Sequence, residues 1–365
     1  MTTTATEFTA TDESGVPVKG QKIRGGGGLG SYLLIRFLLI IPTVFILVTT
    51  VFFLMRATGD PITAALGGRL PADQLAERIH QAGYDRPLIT QYLSYLGDVV
   101  HGDFGTTLSD RRPLSEVLTT FGAATLELAF YALLVAFVVG IPLGRLAAYL
   151  RDRWPDATLR VFAILFYATP VFFIGLLLKL VFAVNLGWLP VAGRASTAAE
   201  IQLSTLPNST GLYLIDAIKL GDREVISDVL QHAVLPAITL GLLTAGVFLR
   251  LVRTNVIGTL GMGYVEAARS RGVPERRLLK KHAYRPALIP IITVIGLQIA
   301  LLLSGAVLTE TTFEWKGLGF QLNQYLQARD FVAVQGIVVL LAVVVAVTNF
   351  IVDALAALID PRVRY

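Results

Sequence analysis

The stretch Gly263-Tyr264-Val265-Glu266-Ala267-Ala268-Arg269-Ser270-Arg271-Gly272-Val273-Pro274-Glu275-Arg276-Arg277-Leu278-Leu279-Lys280-Lys281-His282-Ala283-Tyr284-Arg285-Pro286-Ala287-Leu288-Ile289-Pro290 is a charged island between two strongly apolar segments. In a chain that crosses a membrane, such an island lies outside the bilayer and offers its surface to something else. Its local chemistry predicts two short helices joined by a hinge. Gly272 can take the positive φ that closes a helix over residues 264–271. Pro274 suits the first position of the second helix, where its missing N–H costs nothing, and Glu275 behind it complements the positive end of the helix dipole. That second helix is expected to end near Tyr284, because Pro286 disfavours a helical Arg285. Taken alone, the stretch also reads as a basic loop resting on anionic lipid.

The chain around the island has 365 residues, 54% hydrophobic and only 16% charged, with a mean hydropathy of +0.65. Those values exclude an ordinary soluble domain and point to a polytopic membrane protein. The net charge of +5 would suit nucleic acid if it were spread over one face, but the basic residues gather in particular loops, so membrane lipid and not nucleic acid is the expected partner of that charge. There is no cysteine, and the four histidines are scattered singly, so no metal site is expected. Residues 1–30, rich in Thr and Gly, read as a disordered tail. Residues 37–55 are almost wholly apolar, long enough for about 28 Å of helix, and Arg36 is placed to snorkel at their start. Further spans read at 123–143, 161–184, 232–249, 287–308 and 331–352, six in all. Segments 1–36, 145–160, 250–285 and 361–365 hold 19 of the 31 Lys and Arg, whereas 56–116, 184–229 and 309–331 hold 11. The positive-inside rule then makes the first set, with both termini, cytoplasmic, in a cell inner (plasma) membrane.

The outer segments carry their own signals. Segment 56–116 is long, with a helix start at Pro71-Ala72-Asp73 and Leu75, Ile79 and Ala82 at helical spacing, so a small folded cap is expected. Glu127 lies in the second span and needs a partner or water, as a structural group or in a pathway. Thr169-Pro170 should kink the third span, and Lys179 is placed to snorkel. Residues 184–229 look like an insertion with a strong turn at Pro207-Asn208-Ser209-Thr210-Gly211. Gln298 is polar within the fifth span, suited to helix packing or to a polar route. Phe313 and Trp315 suit a membrane interface or an outer gate.

Glu266-Ala267-Ala268, Gly272 and Leu288-Ile289-Pro290 resemble the cytoplasmic coupling loop of ABC importer permeases. Thr58-Gly59-Asp60-Pro61, Asp85-Arg86-Pro87, Gln91-Tyr92 and Gly102-Asp103-Phe104-Gly105 resemble the signature of the dipeptide and oligopeptide branch, B-type subunit. So do Glu310-Thr311-Thr312-Phe313-Glu314-Trp315-Lys316-Gly317-Leu318-Gly319, Arg329-Asp330 and Gln335-Gly336. Thr58 and Lys316 depart from this pattern, each standing where the branch often has Pro. The resemblance covers residues 31–365 and implies an all-α membrane protein with six transmembrane helices, the type I ABC importer transmembrane domain. It implies a permease subunit for peptides or related solutes that forms half of the translocation pathway and couples through the loop within 250–285. Its coupling residues would be Glu266, Ala267, Ala268, Gly272, Val273, Pro274, Glu275 and Arg276. The implied partners are a second homologous permease subunit, two ATPase subunits that bind the ATP and Mg, and an extracytoplasmic substrate-binding protein. The chain has no phosphate-cradling Gly-x-x-x-x-Gly-Lys-Ser/Thr loop, so it is not expected to be an enzyme or to hold a cofactor. The rival readings are a secondary-active transporter and a membrane-anchored scaffold. The first would need ion-coupling carboxylates and repeated halves, and the second would need neither six spans nor a hinged loop.

Overall fold

The computed structural model describes residues 29–68 and 70–359, so nearly all of the expected tail, residues 1–28, lies outside the described residues. Among the described residues the only strand-like feature is an isolated bridge between Thr106 and Pro113. In chain order, α1 (Leu29–Leu38) and α2 (Ile40–Ala57) make the first span, and α3 (Pro61–Leu66), α4 (Ala72–Gln81) and α5 (Leu88–Val100) form a cap. The second span is α6 (Leu114–Val135), a wide π turn at Ala136–Gly140, and α7 (Ile141–Tyr149). The third is α8 (Trp154–Ala168) and α9 (Val171–Leu178), the latter continued by a π turn at Lys179–Asn185. Next come α10 (Thr197–Ser204), α11 (Tyr213–Leu220) and the central α12 (Arg223–Leu260). The loop consists of α13 (Gly263–Ser270), α14 (Glu275–Arg277) and a π turn at Leu278–Ala283. It leads into α15 (Tyr284–Phe313), α16 (Leu318–Gln327) and α17 (Phe331–Ile359).

Leu29–Ala57, Leu114–Tyr149, Arg223–Leu260 and Phe331–Leu358 are each long and apolar enough to cross a membrane. The expected third and fifth spans are bent pairs, Trp154–Ala168 with Val171–Asn185 and Val294–Leu303 with Gly305–Phe313; counting each pair as one gives six. The bend at Thr169-Pro170 is not the kink expected but a 106° break. Thr169 is extended, with ψ at 133°, as a residue before proline prefers, and Pro170 heads a new helix instead of interrupting an old one. Two placements differ from snorkelling. Arg36 Nη1 pairs with Asp353 Oδ2 at 3.4 Å, tying the first span to the last, and Lys179 Nζ donates to the Thr312 carbonyl at 3.1 Å, closing the end of α15.

α12 has 38 residues, about 57 Å of helix, and is the most buried of the long helices. Small residues let its neighbours approach. A Cβ on Gly140 would lie 2.6 Å from the Ala245 carbonyl, and one on Gly144 would lie 2.7 Å from that of Leu249. This Gly-x-x-x-Gly spacing is the close-packing device of membrane helices, where backbone contact replaces a hydrophobic driving force. Alternate spans collect the connections at two ends. The cap, residues 186–222 and the turn after α15 lie at one end. The loop 261–283, the α7–α8 turn, and the ends of α1 and α17 lie at the other.

Candidate functional site

The loop is a helical hairpin with its own core. α13 buries Val265 and Ala268, and the following π turn buries Leu278, Leu279 and Ala283. These side chains form one cluster with Ala148, Phe248, Val252, Val256 and Leu260 below them, and with Ala287 and Ile291 at the start of α15. The hairpin is therefore continuous in packing with α7, α12 and α15.

Gly272 has φ +78°, the left-handed conformation expected. Its N–H bonds the Arg269 carbonyl at 2.9 Å, and the Val273 N–H bonds that of Ala268 at 3.3 Å. This pair of bonds is the Schellman closure of a helix, with Val273 folded onto the cluster as its hydrophobic contact. An added Cβ at Gly272 would meet open space, so backbone conformation alone requires the glycine. Across the turn, Arg269 Nε donates to Glu275 Oε1 at 2.6 Å and Nη2 to Oε2 at 3.4 Å. The guanidinium holds the Glu275 carboxyl below its ordinary range. Arg276 Nε reaches the Tyr149 hydroxyl at 3.3 Å, and the Tyr264 hydroxyl donates to the His282 carbonyl at 3.2 Å.

Two details differ from the sequence expectation. Pro274 caps the second helix from outside, and the helix begins at Glu275. Nor does that helix stop near Tyr284. The π turn at Leu278–Ala283 passes directly into α15, which carries Pro286 as its third residue. Of the eight coupling candidates, Ala268 is buried and Val273 half-buried. Glu266, Ala267, Gly272, Pro274, Glu275 and Arg276 form the exposed face. The Glu266 carboxylate makes no hydrogen bond or ion pair among the described residues.

The remaining candidates lie elsewhere. Phe313 and Trp315 are 1% and 0% exposed, deep inside and not at an interface, so the anchoring expectation does not describe them. Trp315 Nε1 donates to the Ala124 carbonyl at 3.0 Å, and Phe313 packs with Ala183 and Leu235. Glu127 is buried and fully engaged, with Arg194 Nη2 at 2.5 Å and hydrogen bonds from the Tyr131 hydroxyl and the backbone N–H groups of Tyr213 and Leu214. Gln298 is buried in α15. Sequence reasoning missed Arg194, which belongs to the expected insertion, and the fork of Arg253 on Asp156 at 2.6 and 2.7 Å that ties α8 to α12. It also missed the Arg269–Glu275 staple, whose spacing of six residues across a glycine matches no helical period.

The family described as binding-protein-dependent transport system inner membrane component matches residues 140–365, which hold the whole hairpin. The chain is 38% identical to the di/tripeptide transport system permease protein of Pseudomonas aeruginosa, over 92% of this chain and 99% of that protein. It is 42% identical to the probable D,D-dipeptide transport system permease protein of Escherichia coli, over 84% and 88%. It is 34% identical to the glutathione transport system permease protein of Salmonella choleraesuis, over 92% and 99%.

Proposed function

The chain belongs to the family of binding-protein-dependent transport system inner membrane components, and from that premise we propose how it takes part in transport. It is a membrane permease subunit of an ABC importer. Its cargo is a dipeptide, a short peptide or a related solute, a reading supported by relatives whose names specify di/tripeptides, dipeptides and glutathione. It works with a second homologous permease subunit, two cytoplasmic ATPase subunits that bind ATP and Mg, and an extracytoplasmic binding protein that delivers the cargo. The hairpin end and both termini face the cytoplasm, as the Lys and Arg bias asks.

The observation that carries the mechanism is the hairpin's double character. Its outer face is charged and exposed, and its inner face is one packed cluster with α7, α12 and α15. A partner that grips Glu266, Ala267 and the Pro274–Arg276 corner therefore moves the bundle and not a slack loop. When ATP closes the two ATPase subunits, the hairpins of the paired permeases are driven together, and the cavity between them opens outward to the binding protein. The turn anchored by Phe313 and Trp315 serves as the outer gate. Neither Glu127, committed to Arg194, nor Gln298, buried within the subunit, is placed to line a cavity between the two permeases.

The test is Gly272→Val in the assembled complex. A branched Cβ at φ +78° costs on the order of 1–2 kcal/mol and misaims the corner, while the transmembrane helices are untouched. ATPase occupancy should fall, or hydrolysis should continue without uptake. Full occupancy with normal uptake would show the hairpin to be only a basic connection.

A further inference from the structure

Several signatures that the coupling hairpin does not use, Asp85-Arg86-Pro87, Gln91-Tyr92, Gly102-Asp103-Phe104-Gly105 and Gln335-Gly336, meet at one cavity of about 260 Å³ at the cap end. Arg56 from the end of α2, Tyr95 and Asp98 from α5, Asp103, and Gln335 from the second turn of α17 all line it. Five side-chain polar atoms among the described residues are buried without a hydrogen-bond partner, and three of them, Arg56 Nη1, Tyr95 Oη and Gln335 Nε2, belong to this wall.

Arg56 is held in place. Gln91 donates to the Tyr84 and Arg86 carbonyls at 2.9 and 2.8 Å, which turns its own oxygen to accept from Arg56 Nε at 2.8 Å. The guanidinium then lies over the Tyr84 ring at 4.4 Å and the Phe52 ring at 5.0 Å, with Nη1 left over. Gln335 is 7% exposed, and its amide faces the Tyr95 oxygen, which leaves the Tyr95 proton and the second amide hydrogen unmet. Burial pushes the Tyr95 hydroxyl up to about 12, so it keeps its proton and can donate.

Three buried donors in one small cavity are the complement of an oxyanion, and left unmet each carries a desolvation cost. The carboxylates of Asp98 and Asp103 offset the charges of Arg56 and Arg86 on the same wall, so no net positive charge favours a dianion over a monoanion. We infer that this cavity is a binding site for a small monocarboxylate, whose two oxygens accept from Arg56, Gln335 and Tyr95. The site is separate from the coupling hairpin and does not rest on the role given to it.

The experiment uses the purified complex of this chain with its partner subunits in nanodiscs. Thermal unfolding is followed during titration with sodium acetate, against sodium chloride at equal ionic strength and against inorganic phosphate. Acetate should stabilise saturably, with chloride and phosphate well behind. Tyr95→Phe removes one donor without changing the cavity's shape and should weaken the acetate response roughly two- to tenfold, the share of one neutral hydrogen bond. Arg56→Gln should abolish it, and Tyr95→Phe keeps the test open if that variant does not assemble. Acetate no better than chloride would show a merely hydrated cavity and overturn the inference. So would phosphate binding as well as acetate, or a Tyr95→Phe response equal to that of the unaltered complex.

Discussion

Glu127 and Arg194 are each about 4% exposed at the side chain, and neither is affordable alone in that setting. Arg194 also bonds the Gly211 carbonyl at 2.9 Å and lies over the Tyr213 ring at 3.6 Å, so one residue of the insertion is held by the second span and in turn holds the insertion's turn. The partner of Glu127 could be expected from the sequence but not named, because it stands 67 residues further on in a segment with no periodicity. Asp216, beside that turn, accepts from Ser209 Oγ, Thr210 N and Gly211 N, which is why Pro207-Asn208-Ser209-Thr210-Gly211 could be read as a turn while its anchor could not. Lys316 departs from the branch pattern and reaches Glu200 of α10 at 3.3 Å, so the departure and the insertion are joined in space. A double-mutant cycle tests the Glu127 pair. Glu127→Gln alone leaves a buried guanidinium without its counter-ion and should cost about 3–5 kcal/mol. Adding Arg194→Met should recover most of that loss. Thermal unfolding of the purified complex measures both, and additive losses would show that the two charges do not depend on one another.

The hairpin is the element where local chemistry was most legible, and also where it misled. Gly272 could be read because few residue types tolerate φ near +78°. The continuation through Pro286 could not, because a π turn changes the register that makes proline a stop, and no sequence period announces it. Thr169-Pro170 fails in the same way: the dipeptide announces a disturbance but not whether it is a kink or a 106° break, which neighbouring helices decide. The staple of Arg269 on Glu275 gives the hairpin a pH dependence with a definite sign. The folded-state carboxyl is depressed, so its contribution is present above the ordinary glutamate range and is lost as pH falls through the lowered value. Both side chains are largely exposed, 42% and 60%, so solvent screens the pair and the effect is local to the hairpin. A nitroxide on Ser270→Cys reads it: mobility should stay low from neutral pH down to the glutamate range and rise below it. With Glu275→Gln it should be higher at neutral pH and flat. A titration unchanged by Glu275→Gln would remove the staple from the account.

At the scale of the whole molecule, six apolar stretches were legible because membrane spans are set by length and hydropathy. Their arrangement was not: α12 is the helix the others pack on, yet it is the least apolar of the four long spans, at a mean hydropathy of 1.9 against 2.7 for the little-buried first span. The structure sorts the connections into two ends without saying which end faces the cytoplasm; only the charge bias does, with 19 Lys and Arg against 11. The bias predicts more than an orientation, because the cap, the insertion and the turn after α15 must all share the outer side if one of them does. The chain has no native cysteine, so a single introduced thiol reports its own position. Ala76 on α4, Thr205 after α10 and Ser270 on the hairpin are all exposed, which equalises their intrinsic reactivity toward a reagent in water. In intact cells an impermeant maleimide should label Ala76→Cys and Thr205→Cys and spare Ser270→Cys, and permeabilisation should make all three equal. Labelling of Ser270→Cys alone would invert the molecule, removing the hairpin from the side where ATP is made available and the transport mechanism with it. Labelling of Ala76→Cys without Thr205→Cys would instead separate the cap from the insertion, which the structure places at the same end through the turn after α15, and would overturn that arrangement.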